Sequence, residues 1–142
     1  MQIERATVGD APLLAPLNKR LIEDEGHPNP ITVPELAGRM AGWLAGEYTA
    51  YLVREDDAIA AYALYRDDGD AYYLRHLYVE RGFRRRGIAT QLLDWLYAHV
   101  WTDKPVRLEV LAHNAGAIAF YEAYGFAVWC LSMEKRSGPV TP

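Results

Sequence analysis

The chain has few of the residues on which several protein classes depend. Cys130 is its single cysteine, so no disulfide can form within the chain and no zinc site can be built from cysteines. No stretch reaches the roughly 18 apolar residues that a membrane-spanning helix needs. The N-terminal residues lack the apolar core of a signal peptide, which favours a cytoplasmic location. The four histidines show no metal-ligand spacing, so we expect no metal.

The composition that remains is typical of one globular domain. The 142 residues are 51% hydrophobic and 24% charged, and the net charge is −4. This acidic balance argues against a general nucleic-acid binder. Residues 1–80 carry seven Lys or Arg and fourteen Asp or Glu, whereas residues 81–142 carry eight and five. The asymmetry favours a cationic ligand on one side and an anionic ligand on the other, or else two unevenly charged solvated faces.

The periodicity of the apolar residues predicts an α/β protein with a mixed sheet. The predicted strands cover residues 2–7, 48–55, 58–66, 71–79, 106–112 and 126–135. The predicted helices begin at Asp10, Thr32, Gly87 and Asn114, and a kink is expected at Pro16. Antiparallel hairpins come first and crossover helices later, so we expect a central mixed sheet flanked by about four helices. One domain is predicted over residues 1–136, followed by a flexible tail at residues 137–142.

The junction between the fourth strand and the third helix carries an anion-binding pattern. Residues 84–89 read Arg-Arg-Arg-Gly-Ile-Ala, and a helix start offers unpaired backbone N–H groups and the positive end of the dipole. Gly87 allows a bulky anion to approach the main chain, and Ala89 keeps the next turn small. Arg81 adds charge beside them. We therefore expect a di- or polyphosphate here, and the alternative is an ordinary basic loop before a helix.

The pattern Arg/Gln-x-x-Gly-x-Gly/Ala at residues 84–89 resembles the acetyl-coenzyme A motif of the GNAT-type N-acetyltransferase superfamily. Residues 114–126 are similar to the second signature of that family, Asn-x-x-Ala-x-x-(aromatic/aliphatic)-Tyr-Glu-x-x-Gly-Phe. Two motifs in the right order, with a predicted strand between them, are more specific than either alone. The resemblance covers most of the chain, from the first strand to residue 136. It implies the GNAT acyl-CoA N-acyltransferase fold, with acetyl-CoA as co-substrate.

The resemblance also implies which residues contact coenzyme A. The backbone amides of the basic loop would hold the pyrophosphate, and the residues concerned are Arg84, Arg85, Arg86, Gly87, Ile88, Ala89 and Thr90. The preceding strand would pair with the pantetheine arm through the main chain of Leu77, Tyr78 and Val79. Asn114 would bind the arm while it caps the following helix.

In the family pattern Tyr121 would face the sulfur of the thioester. A neutral amine attacks the thioester carbonyl directly, and coenzyme A leaves as a thiolate. The pKa of an alkyl thiol is about 8.5 and that of tyrosine about 10, so tyrosine stays protonated and can donate to the leaving sulfur. The alternative for Tyr121 is a core aromatic. Cys130 is no credible nucleophile, which fits transfer without a covalent enzyme intermediate.

The acceptor side is less defined in the sequence. An alkylammonium with a pKa of about 10.4 must lose a proton before it attacks, and the candidate bases are Glu23, Asp24, Glu25, His27, His76 and Glu109. In the GNAT pattern the acceptor wall is built from the first two helices and their joining loop, here residues 20–35. Of the candidates we place Glu23, Glu25, His27 and His76 on the acceptor side. The acidic run would draw a cationic amine, and a solvated loop is the alternative.

These patterns predict an acetyl-CoA-dependent N-acetyltransferase that acts on a small-molecule or peptide amine. The rival prediction is a catalytically silent acyl-CoA-binding sensor or interaction module on the same fold. Nucleic acid and membrane are not expected as partners. The sequence leaves the identity of the amine and the oligomeric state open, a homodimer included.

Overall fold

Five strands form one sheet in the order in which they follow along the chain, in a computed structural model that describes residues 1–26 and 28–138. The strands are β1 (Gln2–Arg5), β2 (Tyr48–Glu55), β3 (Ala58–Asp67), β4 (Tyr72–Val79) and β5 (Val106–Leu108). Neighbours from β1 to β4 are antiparallel, and β5 is parallel to β4. The predicted mixed sheet is confirmed. The candidate His27 and residues 139–142 of the predicted tail lie outside the described residues.

Four helices cover the two faces of this sheet, as expected. They are α1 (Ala11–Asp24), α2 (Val33–Ala45), α3 (Ile88–His99) and α4 (Ala115–Tyr124). On one face α1 and α2 bury Leu14, Leu17 and Met40 against Leu52, Tyr62 and Leu64. On the other face α3 buries Leu92, Leu93 and Leu96 against Val53, Ala63 and Leu74. Within the described ranges, no helix combines the length and the apolar character needed to cross a membrane.

Local hydrogen bonds decide where the first two helices begin. The Glu35 N–H donates to Thr32 Oγ1 at 3.3 Å, and the Thr32 N–H donates to Glu35 Oε1 at 3.2 Å, so the predicted capping box of α2 is confirmed. Asp10 precedes α1, but its carboxylate accepts from the Thr7 N–H at 2.8 Å and closes a short 3-10 turn. It makes no side-chain bond to α1, which corrects the predicted cap. Helix α1 continues through Pro16 to Asp24.

The strands β4 and β5 pair over only three residues. Tyr72–Leu74 lie opposite Val106–Leu108, and β4 then continues to Val79 without β5 beside it. The strand predicted over residues 106–112 is therefore too long, because β5 ends at Leu108. The separation of the two strands leaves one edge of the second half of β4 unpaired by β5.

The strand predicted over residues 126–135 is wrong. This segment forms no strand in the structure, although its sequence is apolar. Val128 and Met133 are 76% and 91% exposed. Trp129 contacts β5 through the Arg107 guanidinium, which lies 4.6 Å from the centroid of the indole ring. A strand needs a partner edge for its backbone groups, and a three-residue β5 offers little length to pair with.

Candidate active site

The turn between β4 and α3 has a left-handed backbone. Arg85 and Gly87 have φ angles of 66° and 73°, a region that costs little for glycine and more for residues with a side chain. Gly87 is the N-cap residue of α3 and has no side chain to bond to the helix amides. The Gln91 N–H donates to the Gly87 carbonyl at 3.0 Å as the first bond of the helix. The amides of residues 88–90 precede it and are therefore available to an anion.

A cavity of about 270 Å³ lies in front of this turn. Its lining residues are Val79, Phe83, Arg84, Arg85, Gly87, Ile88, Ala89, Thr90 and Phe120. A Cβ atom added to Gly87 would meet no atom within 4 Å, so the space next to this residue is open. Amide and guanidinium donors of this kind suit the oxygens of a diphosphate. The structure thus brings Val79 and most of the predicted loop residues together.

Four of the predicted cofactor residues do not line the cavity, and one of them is Asn114. Leu77 packs against the core on the α3 side of the sheet. Tyr78 is buried, and its hydroxyl donates to Glu80 Oε1 at 3.0 Å. The Arg86 guanidinium lies 5.3 Å from the centroid of the Phe83 ring. Leu77 and Tyr78 are available to a bound arm only through their main chain, which is the role that the resemblance implies for them.

The acidic end of α1 is bonded to the basic loop. Asp24 accepts from Arg84 at 2.6 Å and from Arg81 at 2.9 Å, and Glu23 lies 3.7 Å from Arg81. Burial alone would raise the pKa of Asp24, but the hydrogen bonds from Arg84 and Arg81 outweigh it and lower that pKa. Arg84 also donates to the Val79 carbonyl at 3.0 Å. The charges of Asp24 and Glu23 therefore face the basic loop before α3.

Tyr121 lies on α4 between two aromatic rings. The centroids of Phe120 and Phe126 are each 5.5 Å from its ring centroid. Burial, followed by the negative charge of Glu25, raises the pKa of Tyr121 to about 12. The tyrosine is thus protonated at neutral pH, and its hydroxyl can act as a donor. Asn114 is the N-cap residue of the same helix, as predicted, and its Oδ1 accepts from the Ala117 N–H at 3.3 Å.

Glu25 connects the end of α1 to the residues around Tyr121. Its backbone carbonyl lies 3.2 Å from His113 Nε2, in the loop before α4. Its carboxylate acts on two tyrosines, because its charge contributes to the raised pKa of both Tyr121 and Tyr62. Among the acceptor-side candidates within residues 1–26 and 28–138, Glu25 is therefore the one whose charge contributes to the raised pKa of Tyr121.

His76 is half-buried on β4 and is paired with a tyrosine that the sequence analysis did not single out. Its Nδ1 lies 3.1 Å from the hydroxyl of Tyr62, a fully buried residue of β3. Burial, with the charges of Arg75 and Arg39, lowers the pKa of His76 to about 3. The ring is therefore neutral at physiological pH and is a weak proton acceptor. In the sequence, Tyr62 is one of several aromatic residues in an apolar strand. No sequence signal therefore identifies it as the partner of His76.

The remaining candidate base lies directly after the end of β5. Glu109 follows the strand, is exposed, and accepts from the Tyr73 hydroxyl at 3.1 Å. A second cavity, of about 670 Å³, lies between β5, α3 and α4 and contains none of the predicted site residues. Among residues 1–26 and 28–138, no group of three or more His, Cys, Asp or Glu could hold a metal ion.

Comparison with known proteins gives a family match over most of the chain. The sequence model of the acetyltransferase (GNAT) family matches residues 17–126. The [ribosomal protein bS18]-alanine N-acetyltransferase of Salmonella typhimurium is 41% identical over 73 residues. That match covers 50% of this chain and 49% of the relative, so it spans about half the length of the curated protein.

Solved structures agree with the fold. A possible acetyltransferase from Clostridium difficile 630 superimposes with a TM-score of 0.80 and 21% identity, covering 97% of both chains. A predicted acetyltransferase from Clostridium acetobutylicum, solved with acetyl-CoA, gives a TM-score of 0.75 and 24% identity over 95% of both chains. These likenesses show that the mixed sheet with four helices is the fold of acetyltransferase structures.

Proposed function

The chain belongs to the acetyltransferase (GNAT) family, and we propose that it transfers the acetyl group of acetyl-CoA to a primary amine by direct attack. Membership of the family supports acetyl-CoA as the acetyl donor. The structural neighbour from Clostridium acetobutylicum was solved with acetyl-CoA. The relative from Salmonella typhimurium, an alanine N-acetyltransferase, supports an amine as the acceptor.

At the phosphate end, the main chain supplies most of the binding. The amides of Ile88, Ala89 and Thr90 donate to the pyrophosphate oxygens, and Gly87 leaves room for them to approach. Arg85 adds positive charge from the cavity wall. Arg84 is held by Asp24, so its position is set before the co-substrate arrives. Acetyl-CoA would supply the thioester, whose C–S bond is the one that breaks.

At the reacting end, Tyr121 protonates the leaving sulfur. The neutral amine nitrogen forms a bond to the carbonyl carbon, the C–S bond breaks, and the phenolic proton moves to the sulfur. The acylated nitrogen then loses one proton to solvent, and the tyrosinate takes one up. The open edge of β4 beyond Leu74 lies on the side from which β5 has diverged. A main-chain N–H of Leu77–Val79 stabilises the oxyanion as it forms. Burial and the charge of Glu25 raise the pKa of Tyr121 to about 12, so the proton donor is present at neutral pH.

The pKa of the acceptor amine determines whether the reaction needs a general base to deprotonate it. The α-amino group of a peptide has a pKa of about 7.7–8.0, whereas that of an alkylammonium is about 10.4. His76, with a pKa of about 3, is too weak a base to deprotonate an alkylammonium. We therefore favour an α-amine, as in the Salmonella typhimurium relative, because a sizeable fraction of it is neutral near pH 7.5.

The observation that supports this proposal is the half-buried Tyr121 on α4, which packs against Phe120 and Phe126 and whose pKa is raised to about 12 by burial and by the charge of Glu25. The test is free-thiol release from acetyl-CoA with a panel of α-amines and alkylamines. We expect turnover with at least one α-amine, and a lower rate with alkylamines at neutral pH. Acetyl-CoA binding by calorimetry without turnover across the whole panel would instead support the silent sensor.

A further inference from the structure

Two arginines share the ring of Trp43 on the α2 side of the sheet. The guanidinium carbon of Arg39, on α2, lies 4.4 Å from the centroid of this ring, and that of Arg75, on β4, lies 4.7 Å from it. The centroid of the His76 ring is 5.5 Å from the same centroid. We call these four residues, Arg39, Trp43, Arg75 and His76, the Trp43 cluster.

Within the part of the chain that the structure describes, neither arginine of the cluster forms an ion pair. The next arginine along this face, Arg66, is by contrast neutralised by Asp68 at 2.6 Å. Arg75 donates only to the neutral hydroxyl of Tyr48, at 3.2 Å. Burial and the charge of Arg75 together lower the pKa of Arg39. Among the described residues, the cluster thus holds two positive charges that repel each other and form no ion pair.

The cluster also has donors without acceptors. The Nε atom of Arg39 is buried and has no hydrogen-bond partner. Behind it, Asn18 is 0% exposed; its Oδ1 accepts from Arg39 at 3.3 Å, and its Nδ2 has no partner. Buried polar groups are normally satisfied, and an excess of N–H donors is satisfied by an anion. Arg75 is exposed, so such an anion has access from solvent.

The position of the cluster on β4 relates it to the reacting centre. Arg75 and His76 immediately precede Leu77, at which the segment assigned to the pantetheine arm begins. A strand rises by about 3.3 Å per residue, so the backbone of Arg75 lies roughly 7 Å from that of Leu77. An extended peptide covers the same distance in two or three residues.

We propose that the Trp43 cluster recognises a carboxylate on the acceptor, located two or three residues from the reacting amine. Arg75 and Arg39 bind the carboxylate oxygens, and Trp43 holds both guanidinium groups in place. The acceptor is therefore an acidic peptide or an amine of similar length that carries a carboxylate. This inference rests on the proposed acetyl transfer, whose acceptor class it narrows. It reverses the expectation from the sequence that the acceptor site attracts positive charge.

The experiment compares peptides that differ only in charge. Each has a free N-terminal alanine, a neutral body and an amidated C-terminus, with Asp or Asn at the second or third position. Thiol release gives kcat/KM, and calorimetry with the coenzyme A-loaded protein gives affinity. We expect the wild type to prefer an Asp peptide over its Asn counterpart by about tenfold in both measurements, the effect of one charge-assisted hydrogen bond.

Arg75→Gln removes the exposed donor and is expected to bring this preference close to one, with Arg39→Gln as the second variant. Arg54→Gln is the matched control, because it removes one charge at the far edge of the sheet, where Arg54 pairs with Glu4 and Asp10. Thermal melts report whether the variants fold.

The outcomes separate the two proposals. Equal kcat/KM and affinity for the Asp and Asn peptides in the wild type would overturn carboxylate recognition, while acetyl transfer would stand. A preference that persists in both Arg75→Gln and Arg39→Gln would place the recognition elsewhere and overturn the inference as well. Tighter binding of the Asp peptide without turnover of any amine would retain the carboxylate site and overturn the proposed acetyl transfer.

Discussion

Asp24, at the end of α1, accepts a hydrogen bond at 2.6 Å from Arg84, which follows it by 60 residues in the loop before α3. The bond joins the acidic first half of the chain to its basic second half. It also holds Arg84, in the turn before α3, from the α1 side, while the Val79 carbonyl accepts from the same guanidinium at 3.0 Å on the β4 side. The charge asymmetry seen in the sequence is thus used within the molecule before any ligand binds.

Replacing Asp24 tests the contribution of this bond to stability. Asp24→Asn should reduce the free energy of unfolding by about 0.5–1 kcal/mol at neutral pH, the range of partly exposed ion pairs. The folded pKa of Asp24 is lower than its unfolded value of about 3.9. The pair therefore stabilises the fold above pH ~4, and the stabilisation is lost as the pH falls through the folded pKa. Denaturant melts of wild type and variant should converge in acid; a difference that is constant with pH would show that the carboxylate charge is not responsible.

Gly87→Glu should abolish acetyl-CoA binding in calorimetry. The new carboxylate would enter the open space in front of the α3 amides, where the pyrophosphate is expected. Gly87→Ala is the control, since it carries the same left-handed strain of about 1–2 kcal/mol without the charge. Arg84→Gln should weaken binding less than Gly87→Glu, because the backbone amides remain. Retained affinity in Gly87→Glu would place the phosphate site elsewhere.

Tyr121→Phe keeps the ring between Phe120 and Phe126 and removes only the hydroxyl. If tyrosine protonates the sulfur, kcat should fall by roughly 10²–10⁴ with little change in acetyl-CoA affinity. An acid with a pKa of about 12 is fully protonated in the working range. The kcat of the wild type should therefore show no alkaline fall from Tyr121 between about pH 7 and 10. Unchanged kcat in the variant at saturating substrates would make Tyr121 a packing residue.

Glu25→Gln and Glu23→Gln distinguish the roles of the two glutamates on either side of Asp24 in the kinetics of the amine. Glu25 acts on Tyr121 and Tyr62, whereas Glu23 lies 3.7 Å from Arg81 on the phosphate side. We expect Glu25→Gln to change the kinetics of the amine, in KM or kcat, and Glu23→Gln to leave them within about twofold. A fall in kcat of Glu25→Gln that steepens at low pH would identify Glu25 as the base. Equal, small effects of both changes at low salt would make the acidic run a solvated face.

Features that depend on neighbouring residues were predicted from the sequence. The capping box of Thr32 and Glu35 and the Asn114 cap of α4 each close within three residues, so the chain forms them wherever it lies. Gly87 at the start of an amphipathic helix is of the same kind, whereas its left-handed φ of 73° is seen only in the structure. The turn signals between β2, β3 and β4 likewise identify their antiparallel pairing, because short hairpins allow little else.

Tertiary structure decided what depends on distant partners. The apolar residues at 126–135 predict a strand, but a strand exists only where another edge satisfies its backbone, and β5 ends at Leu108. The same reason separates the local acidic run into Asp24, bonded to arginines 57 and 60 residues away, and Glu25, beside Tyr121. Tyr62 and the unpaired arginines around Trp43 gain their chemistry from packing, because burial and distance, not residue type, determine which charges are compensated.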